Sequence, residues 1–429
     1  MRGLKTKRLL AATAGLVLVF GVAACGDDDG DGGGGEESLD LTIGDAVPLT
    51  GDLADFGPPG QKAADIAAAQ INDAIEEAGV EHTVNLVHED TETNPQATVQ
   101  AARKMVQSDG ASCIAGAWAS ADSIPLAQSV AIPEGVLQIS PASTSDEITG
   151  LDDDGLVNRT APPDSFQGPT LADAISQQLG GAEGKTVNVG ARNDAYGTGL
   201  AGTFGAGWED LGGTIGQEVI YDPEQPSYNS EAGQILQGNP AAVVIIDFPE
   251  TFIKVGPALE RTGNFDPAKT WVTDGLVSGD LLEGPTATIV EGIRGTAPGV
   301  PDDLEATQAF DQLYTSSQPQ DVDRQVFDAQ NFDAVILCYL AAVSAGSTDG
   351  QDMADALVDI TTGGDKYTWE QLPELIEALQ NGDDVDYVGA SGEIEMDENG
   401  DANGGVYDIY AFAKGDLAPT AEVQVVVPE

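Results

Sequence analysis

The feature that most restricts the fold is an alternation of short apolar strands with helices of about 10–18 residues, run through twice. Leu41 to Val47 reads as a buried strand, followed by a Gly- and Pro-rich turn from Thr50-Gly51 to Gly60 and an amphipathic helix near Gln61 to Ala78. Thr83 to Val87 reads as the next strand, and Asn94-Pro95 opens a helix through Val106. Ser112 to Gly116 and Leu137 to Ser140 are short apolar strands separated by a helix that starts near Ser120. This order implies a parallel sheet with helices on both faces.

The pattern restarts after Val157-Asn158-Arg159-Thr160. Helices are expected over Phe166 to Leu179, Gly199 to Leu211 and Glu250 to Thr262. The strands between and around them are Thr186 to Gly190, Thr214 to Tyr221, Ala242 to Ile246 and Thr270 to Val272. From about Asp302 the chain reads as mostly helical: Leu304 to Ser316, Phe327 to Ala345, Met353 to Ile360 and Trp369 to Leu379. It closes with strands Gly392 to Met396 and Val406 to Ala413. The expected class is therefore α/β and bilobed, with two doubly wound, mainly parallel sheets joined by a hinge. Ligands of open α/β sheets sit beyond the strand C-termini, so two such sheets facing each other make a cleft lined by those loops. A hinge would let the cleft close on a solute and exclude water.

Composition excludes several functions. Seventeen Lys plus Arg against 72 Asp plus Glu leave a net charge of −55 over 429 residues. Such a surface repels phosphate backbones and anionic headgroups, which argues against nucleic-acid binding and electrostatic membrane adsorption. Two histidines and three cysteines supply few metal ligands and few general bases, and no G-x-S-x-G, H-E-x-x-H or P-loop pattern is present. The expectation is no enzyme, no cofactor and no metal. Asp397-Glu398-Asn399-Gly400-Asp401 begins like a calcium loop, but Ala402 stands where a glycine is needed and Asp408 replaces the terminal Glu, so it reads as a turn.

Arg2, Lys5, Lys7 and Arg8 precede an uncharged apolar stretch from Leu9 to Ala24, shorter than a membrane-spanning helix and ending in small residues. Val22-Ala23-Ala24-Cys25 is similar to a bacterial lipobox, in which the cysteine is acylated after cleavage; an ordinary signal peptide is the alternative. Gly26 to Ser38, nearly all Gly, Asp and Glu, reads as a disordered tether. The expected location is extracytoplasmic, lipid-anchored to the outer face of the cell membrane.

Candidate binding groups gather at strand ends. Ala117-Trp118-Ala119-Ser120 and Ser140-Pro141-Ala142-Ser143-Thr144 follow two strands of the first section. Their hydroxyls and free backbone N–H groups suit an anion, with Ser120 alternatively an N-cap. In the second section, Asn193-Asp194-Ala195-Tyr196-Gly197 and Thr273-Asp274-Gly275 end strands, and a carboxylate there could meet an ammonium group or simply serve a turn.

Four collinear segments then carry a resemblance: Pro48-Leu49-Thr50-Gly51, Ile139-Ser140-Pro141-Ala142, Arg159 to Gly168 (RTAPPDSFQG) and Asp194 to Leu200 (DAYGTGL). Over roughly Leu39 to Leu417 the chain resembles the branched-chain-amino-acid-type substrate-binding proteins of ABC importers, with the type I periplasmic-binding fold. The resemblance implies that Ser120, with Ala142 and Thr144, holds a ligand α-carboxylate, that Tyr196 contacts the ligand from the second lobe, and that Asp274 meets its α-ammonium; Ser143, between Ala142 and Thr144, is a further candidate for the ligand site. It also implies aromatic walls at Phe56 and Phe248, and places Trp118 at the site where many relatives carry a smaller apolar residue. With residues 1–24 read as signal peptide and 25–38 as lipidated cysteine and tether, the resemblance implies 39–160 as lobe 1 and 161–298 as lobe 2. Residues 299–405 would return to lobe 1 with a helical insertion at 361–388, and 406–429 would supply final strands to lobe 2 and a tail.

Trp118, Asp122 and the short Asp274 depart from many relatives, which leaves a branched aliphatic amino acid as one candidate ligand among several. Asp122 either points away as a helix N-terminal charge or favours a cationic or amide ligand. Cys113 and Cys338 either pair in an oxidising compartment or stay as separately buried thiols. His82 and His88 read as isolated core or surface residues. The expected partners are a small solute, an ABC permease and its ATPase, with the chain itself a monomer. The alternative is a sensor of the same fold, for an amide, urea or polyamine, signalling through a membrane partner.

Overall fold

Parallel pairing across both faces explains why the strands are so apolar. In the computed structural model, which describes residues 38–426, five strands make the first sheet: β1 (Leu39–Val47), β2 (His82–Asp90), β3 (Cys113–Gly116), β4 (Leu137–Ser140) and β5 (Val157–Arg159). Their spatial order is β2-β1-β3-β4-β5, parallel throughout. The second sheet contains β6 (Thr186–Arg192), β7 (Thr214–Tyr221), β8 (Ala242–Ile246), β9 (Thr270–Val272) and β10 (Arg294–Pro298). A small third sheet is formed by β11 (Asp365–Thr368), β12 (Val385–Gly389) and β13 (Gly392–Glu393). The chain then returns to the second sheet with β14 (Gly404–Ala413) and β15 (Asp416–Val426), which add antiparallel to its edge in the order β15-β14-β10-β9-β8-β6-β7. The expected leader, Cys25 and the tether up to residue 37 lie outside the described residues, as do residues 427–429.

Two local expectations need correction. The segment 361–388 is not simply helical: β11 and β12 flank a single helix, Leu372–Asn381, and pair in parallel from Asp365↔Val385 to Thr368↔Val388. The anchor is Trp369, buried, whose Nε1 donates to the Ala306 carbonyl at 3.0 Å. Strand β2 also runs on to Asp90, because it keeps register with β1 as far as Val47↔Asp90. Main-chain pairing decides its length, where the polar side chains of His88, Glu89 and Asp90 suggested an earlier stop.

Helix Asp328–Ala345 is apolar nearly all round because it is buried nearly all round. It lies against helix Gly57–Ala78 and the strands β1, β3 and β4. Cys338 on this helix and Cys113 on β3 are joined by a disulfide with a Cα–Cα distance of 5.8 Å. Beside it, His88 is not isolated. Burial alone would lower its pKa, but hydrogen bonds to Asp45 (2.7 Å) and Asp65 (3.0 Å) outweigh that and raise it to about 10. His88 is a structural cation tying β2, β1 and helix Gly57–Ala78 together.

The loop after β1 reaches across to the second lobe. Asp52 accepts from Arg192 Nη2 at 3.1 Å and from the Thr251 hydroxyl at 3.4 Å, and Asp55 accepts from the Ser278 hydroxyl. Arg192, at the end of β6 and 5% exposed, also pairs with Asp194 and lies 3.8 Å from Asp247. Its guanidinium sits 3.7 Å over the ring of Phe248. The contacts of Asp52 and Asp55 hold the lobes together across the cleft, and those to Asp194, Asp247 and Phe248 fix Arg192 within its own lobe.

Two outcomes follow for measurement. Replacing both cysteines (Cys113→Ala with Cys338→Ala) should cost ~2–5 kcal/mol of stability, read as a lower unfolding midpoint in calorimetry. An unchanged midpoint in non-reducing buffer would mean that the pair contributes nothing. Removing the interlobe contacts with Asp52→Asn and Asp55→Asn should enlarge the radius of gyration of the ligand-free protein in solution scattering and weaken ligand binding about three- to tenfold. Equal scattering curves would show that these contacts do not govern closure.

Candidate functional site

The cleft is built from strand C-termini, where peptide groups and side chains are free of the sheet. From the first lobe come the loop after β1 with Leu53 and Phe56, the loop after β3 with Trp118, Ala119 and Ser120, and the loop after β4 with Ala142. From the second come Tyr196 after β6, Phe248 after β8, and Asp274 and Gly275 after β9. Together with Phe327 they enclose a cavity of about 20 Å³, room for one water molecule. An amino acid therefore enters only when the lobes part.

On the first-lobe side Ser120 is 1% exposed and its Oγ accepts from the Ser145 N–H at 3.2 Å, so its own O–H remains able to donate into the cavity. Ser120 is the first residue of helix Ser120–Leu126; Ala119 occupies the N-cap position, with its carbonyl accepting from Ser123 N at 2.9 Å. Ala142 lines the cavity directly. Ser143 does not: its Oγ donates to the Trp118 carbonyl at 3.0 Å and meets Ser123 Oγ at 2.7 Å, which braces the two loops against each other. Thr144 is likewise outside the lining, and its buried Oγ1 forms no hydrogen bond. Trp118 fits because Gly60 lies beneath it; a Cβ there would come within 2.2 Å of the indole ring.

The second lobe brings acid. Tyr196 donates to Asp274 Oδ1 at 2.9 Å, lies 2.7 Å from the Thr273 hydroxyl and accepts from Gly275 N at 3.2 Å. Its ring stacks on Phe248, 5.2 Å between centroids and 14° from parallel. Asp274 is 3% exposed, and burial raises its pKa to about 6 despite the hydrogen bond from Tyr196. A second carboxylate stands close by. Asp164, the first residue of helix Asp164–Leu179, is fully buried, and neither of its oxygens takes a hydrogen bond. Burial and then the charge of Asp274 push its pKa well above the carboxylate range. Around these two acids, Gln167 Oε1, Thr144 Oγ1 and the Tyr407 hydroxyl are also without hydrogen bonds. The nearby cation, Arg159, is engaged by Asp401 at 2.5 Å.

Asp122 is buried rather than a solvated helix-end charge. Burial raises it to about 8, and Arg192 is the cation that most lowers it. It lies within electrostatic reach of Arg192, Asp194 and Asp52, at the interlobe contact, and is mainly protonated at neutral pH. Among the described residues no cluster of His, Cys, Asp and Glu has the arrangement of a metal site. Asp397 to Asp401 forms a turn closed by a bridge between Met396 and Ala402, and Asp401 serves Arg159.

The structure brings Phe56, Trp118, Ser120, Ala142, Tyr196, Phe248 and Asp274 to one cavity and leaves Ser143 and Thr144 behind it. Sequence reasoning missed Leu53, Phe327 and Asp164. Phe327 was expected to begin a helix; instead it precedes Asp328–Ala345 with a left-handed backbone (φ 71°), which turns its ring toward Trp118, 6.5 Å away. Asp164 lies within the RTAPPDSFQG segment, two residues before the expected helix start at Phe166, and nothing local in the sequence marks it as buried.

Residues 40–401 match the family described as periplasmic binding protein. A leucine-, isoleucine-, valine-, threonine- and alanine-binding protein of Pseudomonas aeruginosa is 31% identical over 320 residues, covering 73% of this chain and 80% of the relative. Among solved structures, a leucine-binding protein from Thermotoga maritima shares the fold with a TM-score of 0.72 at 23% identity, covering 90% of this chain and 99% of that one. A branched-chain amino acid substrate-binding protein from Streptococcus pneumoniae, in complex with isoleucine, does so with a TM-score of 0.70 at 20% identity, covering 90% and 99%. The chain therefore belongs to the periplasmic binding protein family, has the type I fold of the Leu/Ile/Val-binding proteins, and is a substrate-binding protein rather than an enzyme.

Proposed function

We propose that the chain captures a zwitterionic amino acid between its lobes and hands it to an ABC importer, anchored to the outer face of the membrane through an acylated Cys25. The observation that carries this reading is the polarity of the cavity. A free hydroxyl at Ser120 faces it from one lobe and an uncompensated carboxylate at Asp274 from the other. A buried charge without a partner is costly, so a guest bearing both charges satisfies both walls at once. Phe56, Trp118, Phe248 and Phe327 leave only apolar surface for the side chain, which favours an aliphatic one. The Pseudomonas relative, named for binding leucine, isoleucine, valine, threonine and alanine, supports the same class. Because the guest bridges the lobes, it binds the closed state more tightly and draws the equilibrium there.

Calorimetric titration with leucine, isoleucine and valine tests the reading; no heat from any aliphatic amino acid would refute it. Asp274→Ala should weaken binding at least about tenfold, since a charge-assisted bond contributes ~1.5–3 kcal/mol, with the fold intact by circular dichroism. The pH dependence has a definite sign. The ligand ammonium needs the Asp274 carboxylate ionised, and the free protein takes up that proton as pH falls through about 6. Binding below that point must expel the proton, so the dissociation constant should rise about tenfold per pH unit on further acidification. In Asp274→Asn this part of the dependence should vanish; a wild-type affinity flat from pH 7 to pH 4.5 would remove Asp274 from the ammonium seat.

A further inference from the structure

A second and much larger cavity, about 330 Å³, lies on the other side of Phe327, whose ring walls both spaces. Both lobes build it: the segment Arg324 to Asp328 from one side, and β10, β14 and the start of β15 from the other. Val277, Val300, Val326, Tyr410, Leu417 and Pro419 make much of its surface apolar. Its charged groups are three acids, Asp311, Asp328 and Asp408, and one base, Arg324.

The base is already spent. Arg324 Nε donates to Asp328 Oδ2 at 2.7 Å, and its Nη1 pairs with Asp311. Two acceptors are left over. Asp328 is 1% exposed, and its buried Oδ1 takes no hydrogen bond. Asp408 is half-buried, and its carboxylate has neither hydrogen bond nor ion pair among the described residues. Burial, then repulsion from Asp302 and Glu422, raises it only to about 6, so it is mainly ionised at neutral pH.

We propose that this chamber is a second ligand site, for a small primary ammonium compound with a branched or aromatic hydrocarbon body. An ammonium group supplies three donors and a positive charge to two unfilled acceptors of net negative surroundings. The apolar walls take the hydrocarbon, and a cavity of this size is at the lower end of those that hold small ligands. A carboxylate-bearing ligand is disfavoured by Asp408 and Asp328, and nothing on these walls corresponds to the Ser120 seat. The site therefore selects amines where the cleft selects zwitterions, and it stands independently of the amino acid reading above.

The test uses 3-methylbutylammonium, which lacks the carboxylate that the cleft requires. Titrated calorimetrically at pH 7.5, it should bind saturably to the wild type and to Asp274→Ala. Asp408→Asn should lose at least about tenfold in affinity, and the uncharged 3-methylbutan-1-ol should bind no better than that variant binds the amine. Ala418→Trp, which fills the chamber from an exposed position on β15, should abolish binding by sterics alone. Leucine titration of Asp408→Asn and Ala418→Trp, and the unfolding midpoint of all three variants, establish that each is folded. Absence of saturable amine binding, retention in both Asp408→Asn and Ala418→Trp, or loss in Asp274→Ala would overturn the proposal; the last would place the amine in the cleft. Failure of leucine to bind the wild type would count against the amino acid reading alone.

Discussion

Two carboxylates, Asp274 and Asp164, meet in the interior at the seam between the lobes without a cation of their own. The bases that could neutralise them are committed elsewhere: Arg159 to Asp401, and Arg192 to Asp52 and Asp194. Desolvation raises the free energy of the ionised acids: Asp164 is pushed well above the carboxylate range, while Asp274, raised to about 6, stays mainly ionised at neutral pH and waits for a positive guest. The same unfavourable burial that taxes the fold thus supplies selectivity for an ammonium group. It also explains the ring of unfilled hydrogen-bonding atoms around it, at Thr144, Gln167 and Tyr407.

The rest of the first lobe holds the opposite pole of the site still. Ser143 ties the loops after β3 and β4, the disulfide joins β3 to helix Asp328–Ala345, and His88 binds strand and helix through two carboxylates. A hydroxyl such as Ser120 discriminates only if its loop cannot yield, so rigidity here has a chemical purpose. Mobility is left to the seam, where the loop of Asp52 and Asp55 makes polar contacts that water can replace when the lobes part. In a chain with 72 acids and 17 bases, placing Arg192 at that contact gives one cation control over several acids.

Much of this was legible in the sequence. The period of the apolar residues located most strands of both sheets, though not β5 or β10, and the strand ends pointed to Ser120, Ala142, Tyr196 and Asp274, all of which meet in one cavity. Legibility failed where a residue's surroundings come from distant segments. Asp122 reads as a helix-start acid and Asp164 is not singled out at all; both stand in the first turn of a helix, yet both are buried by elements far away in the chain. Phe327 read as helical, and only its left-handed backbone sends the ring into the cleft. The insertion at 361–388 read as helix because β11 and β12 are short and pair only within a small sheet of their own, with β13.

Local patterning, then, determined the α/β class, the order of the elements and the chemical type of the residues offered at the strand ends, because hydrophobic periodicity and turn chemistry act over a few residues at a time. Tertiary structure alone decided which acids lose their water, that Ser143 and Thr144 stand behind the cavity and not in it, and that Arg192 serves the seam. Burial and long-range electrostatics depend on every segment packed around a group, and no stretch of sequence carries that information by itself.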